Sequence, residues 1–135
     1  MPKSPNRALA TTVGVIYLLI GIFGVAATNS ATLFGSQGGY LFDLFEVNIF
    51  ANAIHVIIGL GLIIAGASSV SAARRLNTII GVILLVVGVL GFPLINSDAN
   101  ILATNVATDI LHLAAAVLLL AAAFGADRPA PRAVA

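Results

Sequence analysis

The sequence predicts an all-α protein: a four-helix transmembrane bundle built from two tandem helical hairpins, related by a pseudo-two-fold axis along the membrane normal. Three observations carry this reading. The 135 residues are 60% hydrophobic and only 8% charged, against about 25% charged in soluble domains, so polar surface is too scarce to cover a water-soluble particle. Four apolar windows, roughly 9–27, 49–67, 77–95 and 104–124, each come close to the ~20 residues a membrane helix requires. The second pair of windows also repeats the first.

The first window, LATTVGVIYLLIGIFGVAA, follows MPKSPNR, and residues 1–8 read as a short cytoplasmic tail. Its basic start and the small residues of GVAATNSA resemble a secretory signal, but the apolar stretch is longer than a signal's apolar region, and its counterpart later in the chain makes it a retained span. A loop containing GSQGG leads to YLFDLFEV, which reads as an interfacial helix turn, with Phe42 and Phe45 at the headgroups and Asp43 and Glu46 toward water. Tryptophan is absent, leaving Tyr17, Tyr40 and the phenylalanines as interfacial aromatics. The second window is followed by the link SSVSAARR, the third by GFPLIN, where Pro93 ends or kinks the helix. INSDAN then leads to the fourth window. The membrane domain spans 9–125, and Pro-rich residues 126–135 read as a disordered cytoplasmic tail.

Charge placement orients the spans. Lys3 and Arg7 precede the first, Arg74 and Arg75 lie between the second and third, and Arg128 and Arg132 follow the fourth, whereas the other two links carry Asp43, Glu46 and Asp98 with no Lys or Arg. The positive-inside rule then places both termini in the cytoplasm of a multi-pass protein of the inner membrane. The net charge of +1 gives no reason to expect a nucleic-acid partner. The absence of cysteine removes disulfides, thiolate metal sites and palmitoylation.

The repeat is legible residue by residue. Gly14, Gly21 and Gly24 match Gly81, Gly88 and Gly91 at an offset of 67, while Asn48, Asn52 and His55 match Asn105, Asp109 and His112 at an offset of 57. Small residues mark close helix contacts in lipid, where burying leucine against leucine gains nothing over lipid tails. Positions 48, 52, 55, 59 and 66 lie within about 60° of one another on a helix; they read Asn, Asn, His, Gly59, Gly66, and their counterparts read Asn, Asp, His, Ala116, Ala123. Each even-numbered helix thus carries a stripe that is polar in its outer third and small below it. Asn48 and Asn105 are good N-caps, and Asp109 is the one acid expected inside a span.

Such stripes avoid lipid, because amides and imidazoles require partners where water is missing. Four uses fit the residues: interhelical hydrogen bonds between the halves; a bis-histidine b-type haem on His55 and His112; a proton or cation path through Asp109, His112 and His55; and a zinc site on the same three side chains. No nucleotide loop, nucleophile–base pair or paired carboxylates appear, so no enzymatic activity is expected. With no cofactor required, the leading expectation is a small membrane protein in the lipid bilayer that packs against itself as a homo-oligomer or against a membrane-protein partner.

The stretch LFDLFEVNIFANAIHVIIGLGL, with RRLNTIIGVILLVVGVLGF and NVATDILHL, resembles the bacterial membrane proteins grouped as the domain-of-unknown-function 4383 family, over roughly residues 10–124. Its most specific part is the VN…N…H element after the Phe-rich loop. That family tends to place Pro after the Asn and another His four residues before the repeat histidine; here these positions hold Ile49 and Ala51. The resemblance implies a four-helix protein of the cytoplasmic membrane and implies no activity.

Overall fold

The computed structural model describes residues 4–28 and 33–127. The expectations for Lys3, Arg128, Arg132 and the tails at 1–3 and 128–135 lie outside the described residues. The chain is all-helical in its membrane region, with four helices long and apolar enough to cross a bilayer. They are α1 (Pro5–Ala27), α2 (Ile49–Ser68), α3 (Val70–Leu94) and α4 (Val106–Gly125), joined between α1 and α2 by two short strands, β1 (Gly39–Leu41) and β2 (Phe45–Val47). At 20 to 25 residues each, the helices are about 30–37 Å long by helix rise, enough for a hydrocarbon core of about 30 Å.

Local chemistry fixes the ends. Ser4 caps α1 by accepting from the Arg7 amide, with Pro5 in the first turn, where its missing N–H costs nothing. Asn48 and Asn105 cap α2 and α4, their side-chain oxygens accepting from the Ala51 and Thr108 amides at 2.8 and 3.0 Å. Only Ser69 separates α2 from α3, and its hydroxyl caps α3. The SSVSAARR link is therefore mostly helix: hydropathy windows end where polar residues begin, but a capped helix continues through them. For the same reason α1 starts at Pro5, so that Arg7 is helical. Pro93 is the penultimate residue of α3.

Hairpin packing rests on the small residues. α1 packs mainly on α2, and α3 mainly on α4. A Cβ at Gly14 would stand 2.9 Å from the carbonyl oxygen of Gly59, and one at Gly21 would stand 2.8 Å from that of Asn52. In the second hairpin, Gly81 and Gly88 receive the side chains of Leu120 and Leu113. Ala116 and Ala123 are fully buried. The two hairpins then meet over a core of Ala10, Val13, Tyr17, Leu62, Ile80, Leu84 and Leu119, leaving isoleucines, valines, leucines and phenylalanines on the outside to face lipid.

Arg7, Arg74 and Arg75 lie at one end of the bundle, while Asp43, Glu46 and Asp98 lie in the links at the other. The arginines do more than set charge asymmetry. Arg7 donates to the carbonyls of Gly66 and Ala67 at 2.8 and 3.0 Å, and Arg74 to that of Ala123 at 2.7 Å. Each therefore satisfies the open carbonyl end of its hairpin partner, where a cation is also favoured by the helix dipole. The donors Arg7 and Arg74 and the acceptors Gly66 and Ala123 obey the same 67- and 57-residue offsets as the glycines and the polar stripe.

The YLFDLFEV segment is not an interfacial helix turn. Gly39, Tyr40 and Leu41 pair antiparallel with Val47, Glu46 and Phe45, across a three-residue loop, 42–44, in which Phe42 and Asp43 have φ of 57° and 55° and Leu44 N–H donates to the Leu41 carbonyl at 3.2 Å. Aromatic and β-branched residues favour strands, and alternation buries Leu41 and Val47 while Tyr40 faces outward. Asp43 is exposed, but Glu46 is half-buried and bonded: it accepts from the Gly38 amide at 2.9 Å and the Tyr40 hydroxyl at 3.3 Å.

Candidate functional site

The hairpin and the 95–105 link close the end of the bundle opposite the arginines as a lid. Asn48 donates to Gly35 and Ile101 carbonyls at 3.2 and 2.8 Å, Asn105 to that of Leu44 at 3.0 Å, and the Thr108 hydroxyl to that of Glu46 at 3.3 Å. Asn100 stitches the link by donating to the Thr104 carbonyl and accepting from the Thr104 amide, both at 2.9 Å. The two cap asparagines thus start their helices and bind the lid to them.

Beneath the lid, about 9 Å along α2 by helix rise, the histidines of the two halves come together. His55 and His112 ring centroids are 5.9 Å apart and tilted by 49°. Tyr17 of α1 completes the cluster, edge-on to His55 at 5.4 Å and stacked on His112 at 6.4 Å. All three rings are nearly inaccessible, at 1% for Tyr17 and 4% for each histidine.

Asn52 and Asp109 do not join the histidines. Each turns into its own hairpin: Asn52 lies against Gly24 and Asp109 against Gly91, so closely that neither glycine could carry a Cβ. Asp109 therefore diverges from His112. Among the described residues no three His, Asp or Glu side chains converge for a metal. Nor do the inward side chains bond across the interface. The Tyr17 hydroxyl, both polar atoms of Asn52, both Asp109 oxygens and the Nδ1 atoms of His55 and His112 are buried without a hydrogen-bond partner. Thr104 is the electrostatic neighbour of Asp109, but its hydroxyl donates to Asn100 at 3.3 Å.

A cavity of about 120 Å³ opens beside the rings, between α2, α3 and α4. His55 and His112 form its polar wall, Ile54, Ile58, Ile83 and Val87 its apolar walls, and Glu46, Thr104 and Thr108 its rim under the lid. It is well below the ~300–1,000 Å³ of a drug-sized ligand site, so a porphyrin would enter only if the helices parted.

The family model described as "Domain of unknown function (DUF4383)" matches residues 7–125. The chain belongs to that family. No curated protein and no solved structure matches it.

Three parts of this DUF4383 chain escaped the sequence reading. Tyr17, taken there as interfacial, is the third ring of the buried cluster; the available signal was its position on the Gly14–Gly21–Gly24 face. At the basic end, Asn6 and Asn77 are fully buried, with Asn77 donating to the backbone and side-chain oxygens of Asn6 at 3.0 and 3.1 Å. Asp127 then accepts from the Ser4 hydroxyl at 2.6 Å and from the Asn6 side chain and backbone at 3.0 and 3.2 Å. These bonds, with the Ser4 hydroxyl foremost, hold its carboxyl below the usual carboxylate range. Nothing in the sequence pattern tied position 127 to position 6.

Proposed function

We propose that this small multi-pass membrane protein is a binding protein, and that the two-histidine centre in its outer half takes a small ligand. The observation that supports this is that the three rings of the cluster each hold a buried polar atom with no partner, the Tyr17 hydroxyl and the Nδ1 atoms of His55 and His112, beside a cavity lined by both imidazoles. A buried unpaired donor or acceptor costs about 1–3 kcal/mol, and ionisable groups inside a span mark functional sites more often than chance. A ligand that hydrogen-bonds to the rings offsets that cost.

The rival uses have less support. The small residues that motivated self-association or a partner are buried in contacts within the chain, so they leave no small-residue face over. A conduction path lacks continuity: below the rings the core is Ala10, Val13, Leu62, Ile80 and Leu119. We place both termini in the cytoplasm on the positive-inside rule, which sets the centre near the outer surface.

Native mass spectrometry of the full chain from mild detergent tests the reading. Wild-type protein is expected to carry a small adduct that His55→Leu/His112→Leu lacks while retaining its helical circular dichroism. Identical, adduct-free spectra, with no compound found that binds wild type in preference to the double variant, would overturn it.

A further inference from the structure

The cavity beside the histidines shares part of its wall with a second recess on the α3 side. A neighbouring groove of about 250 Å³ runs along the outer third of α3, between Val86, Leu90, Leu94 and the 99–102 link, and shares Val87, Leu102 and Thr104 with the histidine cavity. Ile83 lines that cavity and is also 45% exposed on the surface that faces lipid. The side of the centre turned toward the hydrocarbon is thus the looser seam where the two hairpins meet along α2 and α3.

Size and charge restrict what enters. An apolar cavity of about 150 Å³ holds one benzene ring, so the 120 Å³ beside the imidazoles accommodates a head of about one ring, and the groove beyond Val87 accommodates an apolar tail. The imidazoles present both a donor and an acceptor, provided they are neutral. The acid in the lining of the site is Glu46, on its rim, whereas Arg7, Arg74 and Arg75 all lie at the opposite end of the bundle. An anionic head would meet no cation and would be repelled.

Building on the binding role proposed above, we infer that the site takes a neutral, lipid-borne amphiphile, whose single-ring hydrogen-bonding head docks on His55 and His112 while its apolar tail lies in the α3 groove. The ligand comes from the bilayer, not from the aqueous side. Val86 lines the groove and not the histidine cavity, so a larger side chain there takes up tail space and leaves head space as it is.

The test exploits the fact that the chain has only two histidines, so selective ¹⁵N-histidine labelling of protein carrying no histidine tag reports on the site alone. Full-length protein in nanodiscs of zwitterionic lipid is titrated with three probes: para-decylphenol, its anionic counterpart para-decylbenzoate, and tailless para-cresol. The expected result is saturable imidazole shifts with para-decylphenol, binding at least about ten-fold weaker for para-decylbenzoate, and weaker but real shifts with para-cresol, ten-fold being ~1.4 kcal/mol. Val86→Phe is expected to cost para-decylphenol about ten-fold and para-cresol little; Val86→Ala, which leaves the groove open, should retain both. Equal binding of benzoate and phenol would overturn the neutral head. Equal loss of both phenols in Val86→Phe, or equal affinity of cresol and decylphenol for wild type, would overturn the lateral tail path while leaving ligand binding standing. If none of the three moves either imidazole, both this inference and the binding role it rests on lose their support.

Discussion

Adding one methyl group at either of two positions two residues apart in α2 should have opposite effects. At Gly59, a Cβ would stand 2.5 Å from the Leu18 nitrogen and 2.8 Å from both Leu18 Cα and the Gly14 carbonyl oxygen. All three are backbone atoms of α1, so no rotamer change relieves the clash. Restoring ordinary contacts of ~3.5 Å requires the helix axes to part by about 1 Å, along an interface held by van der Waals packing, since lipid supplies no hydrophobic drive. At Gly61 the same Cβ meets only a Leu76 methyl at 3.5 Å, an ordinary contact. Both changes gain about 0.5–1 kcal/mol from the lower backbone entropy of alanine. Overpacking costs Gly59→Ala roughly 1–3 kcal/mol, so it should be less stable than Gly61→Ala by about that amount, with Gly61→Ala at or above wild type. Equilibrium unfolding by steric trapping in bicelles measures the difference directly. If Gly59→Ala were as stable as Gly61→Ala, the close α1–α2 approach would be wrong, and with it the placement of Tyr17 against the histidines.

Asn48→Ala should cost more than Asn105→Ala: each removes a cap worth about 1 kcal/mol, but Asn48 is fully buried and donates to two lid carbonyls, of Gly35 and Ile101, where the half-buried Asn105 donates to that of Leu44 alone; hydrogen exchange in the lid should rise further in the first variant than in the second. Tyr17→Phe keeps the ring stack and removes a buried hydroxyl with no partner, so ligand-free protein should gain up to about 1 kcal/mol, whereas a clear loss in thermal denaturation would mean that the hydroxyl is bonded. Arg7→Met and Arg74→Met each strip the carbonyl end of the hairpin partner, and each should lower stability by about 0.3–1 kcal/mol, Arg7→Met fraying the end of α2 and Arg74→Met that of α4 in amide exchange. The Asp127 clamp has a folded pKa below the ordinary value of 3.8, so its contribution is present above that value and is lost as pH falls through the folded one; proteolysis at the N-terminus should accelerate only below about pH 4, and Asp127→Asn should show the acid-like rate at neutral pH.

How much of this was visible in the sequence differs between elements. The four spans, their number and their apolar character follow from composition and window length alone. The glycine and polar stripes were also visible as helical periodicities, because a helix face is a local property of spacing. What spacing cannot give is direction across the bundle. Asn52 and His55 share a stripe, yet one turns into its own hairpin against Gly24 and the other across to the opposite half, a split decided by the close approach of α1 to α2. The β1–β2 hairpin was missed because its turn lacks the usual signal. Three-residue hairpin loops usually place a glycine in the left-handed region, whereas this one sets Phe42 and Asp43 there. The basic end was misread for another reason: Ser4, Asn6 and Asp127 look like solvated tails, and only the antiparallel return of α4 brings the last of them to the first two.

The central claim is that folding of the two hairpins brings His55 and His112 together, away from lipid. Magic-angle-spinning NMR on protein ¹³C-labelled only at histidine, diluted in unlabelled protein and reconstituted in lipid, measures this directly. Ring centroids 5.9 Å apart should give cross-peaks between the two imidazoles that survive dilution, and neither ring should show contacts to acyl chains. Rings that couple only to lipid, or to each other only in undiluted samples, would contradict the account.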